Sequence, residues 1–121
     1  MLVQEYMSTD FEPHSCDEDA IIHDVLNRMT EIGCVFVLND DKELVGIVTD
    51  GDLRRNMDGL MARTAGEVAT RGPKVIRRGS LASEALHEMN SRKISALFVL
   101  DDEDRVAGLL HIHDCLRAGL G

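Results

Sequence analysis

Apolar positions recur along this chain in the same order twice. Ile21, Ile22, Val25, Leu26 and Met29 fall at i, i+1, i+4, i+5 and i+8, which is one stripe at helical period. Leu81, Ala82, Ala85, Leu86 and Met89 repeat that stripe 60 positions on. The spacing predicts a helix from Asp19 to about Ile32, opened by acidic residues that suit its N-terminal dipole. Its counterpart runs from Ser80, as N-cap, to about Arg92. A short apolar run follows each stripe, Cys34 to Leu38 and Ala96 to Leu100. Neither run alternates cleanly, so each reads as a strand covered on both faces. Acidic turns come next, at 39–42 and 101–104, of a composition that joins antiparallel strands. The partner strands are Leu44 to Thr49 and Arg105 to His111. Short closing helices are expected from Gly51 to Met57 and from His113 to Ala118. A short segment stands before each long helix, Met7 to Pro13 and Val68 to Ile76.

The repeat organises the whole chain. Phe36, Val37, Leu38, Asn39, Asp40 and Asp41 return as Phe98, Val99, Leu100, Asp101, Asp102 and Glu103, offset by 62. The upstream offset of 60 means that the second copy holds two extra residues near Arg92 and Lys93. The expected domains are therefore repeat 1 at 1–60 and repeat 2 at 61–121, each β-α-β-β-α. A unit of about 55 residues is too small to bury its faces alone. The expected fold class is α/β (α+β): two repeats packed sheet to sheet with pseudo-twofold symmetry as one module, leaving two equivalent clefts suited to small ligands.

Composition narrows the function. The net charge is −9, which argues against nucleic acid and anionic membranes as partners. Its distribution is uneven: residues 1–60 hold 4 basic and 14 acidic side chains, and residues 61–121 hold 9 and 8. Arg71, Lys74, Arg77 and Arg78 gather in the second half, where they read as anion-neutralising groups or as a solvated strand edge. The longest apolar runs have five residues, far short of the ~20 that a membrane helix needs. Three cysteines without close spacing give no zinc or redox pattern, Cys34 reads as a small buried hydrophobe, and a cytoplasmic setting is expected. No G-x-S-x-G, P-loop or dinucleotide fingerprint is present, so no catalysis is expected.

The most specific element is a strand–turn–helix motif. The first copy is Gly46, Ile47, Val48, Thr49, Asp50, Gly51, Asp52; the second is Gly108, Leu109, Leu110, His111, Ile112, His113, Asp114. A turn of this kind presents free backbone N–H groups to an anion. Thr49 adds a hydroxyl, and Asp52 is placed to accept from vicinal hydroxyls. The competing reading is that Asp52 and Asp114 cap the short helices. His111 and His113 share a strand face, but the sequence offers no third metal ligand; His111 reads as a substitute for the phosphate-side hydroxyl, with a charge that depends on pH.

The motif G-h-h-T-x-x-D (h apolar), intact in the first copy and with His111 for the Thr in the second, repeated at a fixed offset, resembles that of a tandem pair of CBS domains, the cystathionine-β-synthase-type regulatory module. The likeness covers essentially the whole chain. The stretches from Thr49 to Arg55 and from Leu110 to Gly119 are further similar to the C-terminal CBS pair of bacterial arabinose-5-phosphate isomerases, and the former to the CBS pair of some sugar nucleotidyltransferases. The catalytic sugar-isomerase domain of those isomerases lies outside the region of likeness and is not expected in these residues. The resemblance implies that Asp52 and Asp114 bind ribose, with Thr49 and His111 on the phosphate side. It also implies a base held by Met7, Gly33 and Cys34 in the first copy and by Val68, Ile94, Ser95 and Ala96 in the second. The implied ligand is an AMP/ATP-type or cytidine-containing nucleotide or sugar nucleotide, acting as an allosteric effector that changes the angle between the copies; no cofactor is required. Homodimerisation through CBS faces and a fused or partner sugar-isomerase domain are implied partners. The alternative is a ligand-free dimerisation scaffold, with contacts from Leu53 to Met57 and from Cys115 to Leu120.

Overall fold

The computed structural model describes residues 1–29 and 32–119. The chain divides into two compact units. The central unit is Glu12–Pro73; the split unit joins Met1–Phe11 to Lys74–Gly121. The fold class is α/β, as expected, with a four-stranded and a three-stranded sheet. The compact units do not break where the sequence repeats do, at 60/61. Residues 1–11 belong with the second repeat's elements, and the stretch up to Pro73 belongs with the first's.

In the central unit, β1 (Ser15–Asp17) leads to helix α1 (Ile22–Arg28), then β2 (Cys34–Leu38), β3 (Leu44–Thr49), α2 (Asp50–Arg55), α3 (Ala65–Val68) and β4 (Thr70–Arg71). The sheet order is β1-β2-β3-β4, with β1 parallel to β2 and the other pairs antiparallel. Ile22 and Val25 from α1 pack with Val35, Val37 and Val48, all fully buried. The helix starts later than its acidic lead-in suggests. Ile21 stays extended in a bridge with Thr64 and caps α1 without a side-chain hydrogen bond. Of the predicted helix, Thr30 and Glu31 lie outside the described residues.

The split unit holds β5 (Val75–Arg77), α4 (Ala82–Arg92), β6 (Ala96–Leu100), β7 (Val106–His111) and α5 (Ile112–Arg117) in the same succession. Its sheet runs β5-β6-β7, again parallel then antiparallel. All five residues of β6 are buried. Ser80 is not the N-cap of α4. That position is taken by Leu81, held extended by a bridge to Leu2, while the Ser80 amide donates to the Arg77 carbonyl. The extra residues of the second copy extend α4 to Arg92 and stop it at Lys93, whose φ of 57° is left-handed. The N-terminal segment is structural here: Val3 is fully buried against the cluster that includes Ile76, Ala85 and Met89. Among the described residues no helix is long and apolar enough to cross a membrane.

The motif glycines show how the leading segments are received. Ser8 pairs with Leu109 through two 2.8 Å hydrogen bonds beside Gly108, as Thr70 pairs with Ile47 beside Gly46. A Cβ on Gly108 would lie 2.6 Å from the Ser8 carbonyl oxygen, and one on Gly46 would lie 2.9 Å from that of Thr70. Both obstacles are backbone, which cannot swing aside. Gly108→Ala is therefore expected to cost about 1–3 kcal/mol through overpacking. Denaturant melts of the two proteins, with unchanged m-values, check it; a midpoint equal to the parent's would show that the segment gives way freely.

Candidate functional site

Each motif builds a short helix whose first turn is closed on itself. Thr49 sits extended at the N-cap of α2, and its hydroxyl accepts from the Asp52 amide at 3.4 Å. In return Asp52 Oδ2 accepts from the Thr49 amide at 2.8 Å and from the Thr49 hydroxyl at 3.0 Å. This is a reciprocal capping box, with an aspartate in place of the usual glutamate. Asp52 Oδ1 accepts from Arg55 Nη2 at 2.6 Å and from the Thr70 hydroxyl at 2.5 Å. Its side chain is 3% exposed. Asn56 adds a hydrogen bond to the Asp52 carbonyl at 2.7 Å.

Burial pushes the Asp52 carboxyl up, but the hydrogen bonds from Thr70, Thr49 and Arg55 together outweigh it and hold its pKa below the ordinary value. A depressed folded-state pKa adds stability that is present above the unfolded value and lost as pH falls through the folded one. The stability difference between wild type and Asp52→Asn is thus expected to be constant near neutral pH and to shrink below about pH 4. Urea melts from pH 7 to pH 2.5 measure it; a difference that grows with acidification would contradict the sign.

The second motif repeats the frame with other chemistry. His111 is the N-cap of α5, and its Nδ1 accepts from the His113 amide at 3.1 Å. An imidazole thus takes over the capping role of the Thr49 hydroxyl. Asp114 Oδ2 accepts from the His111 amide at 3.0 Å, and Oδ1 pairs with Arg117. The rings of His111 and His113 stack with centroids 4.7 Å apart. Among the described residues no group of three or more His, Cys, Asp or Glu is placed to hold a metal ion.

The helix-capping role of both aspartates is thus present. The residues expected to hold a base are distributed differently from the sequence pairing. Gly33, Cys34 and Val68 belong to the central unit, and Met7, Ile94, Ser95 and Ala96 to the split unit. Met7 and Ile94 pack against one cluster, Val68 against the other. Met7 therefore joins the second motif and Val68 the first, because the leading segments are exchanged. Gly33 turns into β2 with a φ of 75°. Cys34 pairs with Thr49, and Ala96 with His111, so both strand starts lie beside their motifs. Ser95 accepts from the Ile112 amide at 2.8 Å through its carbonyl. Cys34 is half-buried, and burial pushes its thiol up to about 11, as it does that of Cys16. These thiols are inert at neutral pH.

The basic group does not converge. Lys74 lies 3.8 Å from Glu88, Arg78 lies 3.4 Å from Asp102, Arg77 pairs with Asp104, and Arg71 Nη2 donates to the Gly66 carbonyl at 3.4 Å. Arg71 also falls in the other unit. The residue that sequence reasoning missed is Thr70 as a partner of Asp52. Its repeat counterpart, Ser8, instead turns its hydroxyl to the Asp10 amide at 3.2 Å. Of the apolar contacts expected from the short helices, Met57 and Leu116 are exposed, Leu53 and Cys115 are buried, and Leu120 lies outside the described residues.

Comparison with known proteins agrees with this geometry. The chain is 47% identical, over 74% of its length, to arabinose 5-phosphate isomerase of Pseudomonas aeruginosa, of which it covers 28%. It is 39% identical, over 98% of its length, to the Escherichia coli enzyme of the same name, covering 37% of it. The chain thus spans about a third of these curated relatives. Its fold is shared by CBSX2 in complex with AMP (TM-score 0.82, 23% identity, 98% of this chain and 96% of that one). It is shared too by the CBS domain of a bacterial CNNM/CorC family Mg2+ transporter in complex with ATP (TM-score 0.77, 24% identity, 97% and 85%). The CBS domain model matches twice, at residues 3–59 and 65–121, and the chain belongs to the CBS domain family as a tandem pair.

Proposed function

We propose that this chain is the nucleotide-sensing, non-catalytic regulatory part of a sugar-phosphate isomerase. The observation that carries the reading is its 39% identity, across nearly its whole length, to an arabinose 5-phosphate isomerase of which it covers 37%. The AMP and ATP complexes of fold relatives support a nucleotide as the effector class, with a cytidine sugar nucleotide as the alternative. Asp52 and Asp114 are the two candidate ribose acceptors. Thr49 and His111 stand at the anion-facing end of each motif, and the strand starts at Gly33, Cys34, Ile94, Ser95 and Ala96 offer backbone to the base, together with Met7 and Val68. Binding ahead of the isomerase reaction shifts a conformational equilibrium of the attached or partner catalytic domain, a coupling typically of about 1–3 kcal/mol. The setting proposed is cytoplasmic.

A thermal-shift panel of AMP, ADP, ATP, CMP, CMP-sugars and S-adenosylmethionine tests this. A ligand at a hundred times its Kd adds about 2.7 kcal/mol, which for a chain of this size raises Tm by about 10 °C. Silence across the panel would reject the sensing role. A homodimerisation scaffold is the second reading, favoured by Met57 and Met61, which are 61% and 62% exposed. Panel silence together with a dimer in sedimentation would establish it instead.

A further inference from the structure

Two Asp–Gly pairs lie close together in the chain, Asp50–Gly51 and Asp58–Gly59, and no asparagine precedes a glycine. Their covalent chemistry is the same. Glycine has no side chain to shield its amide, so its nitrogen can reach the carboxyl carbon of the preceding aspartate whenever the backbone turns the two together. The fold treats the two pairs in opposite ways.

Asp50 is the first residue of α2 and Gly51 the second. Helical dihedrals hold the Gly51 nitrogen away from the Asp50 side chain, and the capping box of Thr49 and Asp52 fixes them. Gly51 is half-buried beneath Arg55, whose Nη1 lies 3.1 Å from where a Cβ would stand. For this pair to react, the first turn of α2 has to open.

Asp58 and Gly59 lie between α2 and a short 3-10 helix at Leu60–Ala62. Met57, Asp58 and Gly59 are all exposed. Among the described residues nothing holds the Asp58 carboxyl by hydrogen bond or ion pair, and the Gly59 amide meets no backbone acceptor. Gly59 stands at φ 69° and ψ 19°, a left-handed conformation that helix and strand do not reinforce. The hydrogen bond that spans the pair runs from the Leu60 amide to the Met57 carbonyl at 3.2 Å.

We propose that Asp58 is a site of spontaneous backbone modification, in which the folded protein converts it from an α-linked to a β-linked residue (isoaspartate), while α2 protects Asp50. The Gly59 nitrogen attacks the carboxyl carbon of protonated Asp58. An N–C bond forms, the hydroxyl departs with the amide proton as water, and a five-membered succinimide closes. Water then opens the ring. Opening at the main-chain carbonyl routes the chain through the former side chain and leaves a free α-carboxylate. One water is lost and one regained, and nothing is oxidised or reduced. The product has an extra methylene in the main chain inside the turn that the Leu60–Met57 bond closes, so that bond is lost. Leu60 packs against the core cluster that holds Ile22 and Val25, and the change at an exposed turn thereby reaches the support of α1.

The experiment keeps the whole folded chain for several weeks at near-neutral pH, below its melting temperature. Peptide mapping with electron-transfer mass spectrometry then distinguishes the two linkages. The expected result is β-linkage at Asp58, accumulating about tenfold or more faster than at Asp50. In urea, where α2 no longer exists, the two rates are expected to converge. Asp58→Glu, whose longer side chain does not close the five-membered ring, is expected to remove the signal at 58, and hydrogen exchange at the Leu60 amide is expected to quicken as conversion proceeds. Equal rates in the folded chain, faster conversion at Asp50, or an unchanged Asp58 in a folded sample whose urea control has converted would overturn the proposal. The comparison of the two pairs is made within one unaltered molecule, so it does not depend on a variant that folds.

Discussion

Phe98→Ala is expected to lower the unfolding free energy by about 3–5 kcal/mol, the cost of a full-size aromatic deleted from a packed interior. Phe98 is fully buried in the middle of β6, and Phe11 meets its ring edge-on with centroids 5.7 Å apart. The chain has three Phe, one Tyr and no Trp, so few other side chains of that volume can close the hole. Against a total of about 5–15 kcal/mol for a domain, the loss is large, and a drop in Tm of about 10–20 °C follows. Phe98→Leu refills most of the space and is expected to cost about 1 kcal/mol. Equal costs for the two variants would show that the site is not tightly packed.

The second large effect compares the twin aspartates. Asp52→Ala removes a cap, about 0.5–2 kcal/mol, and takes the partner from the half-buried Thr49 amide, whose loss adds about 1 kcal/mol, and from the Thr70 hydroxyl, which is exposed and turns to water. A loss of about 2 kcal/mol is expected. Asp114→Ala gives up the same cap, but from a side chain that is 20% exposed against 3% for Asp52 and that makes fewer hydrogen bonds, and about 1 kcal/mol is expected. Chemical denaturation of the pair measures both. Equal losses would mean that the deeper burial of Asp52 contributes nothing to stability.

Much of this fold was legible in the chain itself. The strands β2, β3 and β6 fall at the predicted residues because a short apolar run between two turn signals leaves little freedom. The long helices were placed by their stripes, but not their starts. Ile21 and Leu81 look like the first helical residues by periodicity, yet each stays extended in a bridge to a residue distant in sequence, Thr64 and Leu2. Such pairings leave no periodic trace. The same limit explains the base-side residues. The resemblance gives Met7 and Val68 the same expected role, but only the topology shows that each has crossed to the other repeat's motif. Within the site, the capping box was readable from the three-residue spacing of Thr49 and Asp52. The Thr70 link was not, since a threonine 18 positions away carries no local signal.

The exchanged leader has a consequence for biosynthesis. The central unit is one contiguous stretch, complete once Pro73 has left the ribosome, and its sheet can form at once. Residues 1–11 emerge before it yet must wait: Ser8 meets Leu109 only after a hundred further residues have been made. Until then Val3 and Tyr6 lack the rest of their unit, so a segment made before the central unit is sheltered after it.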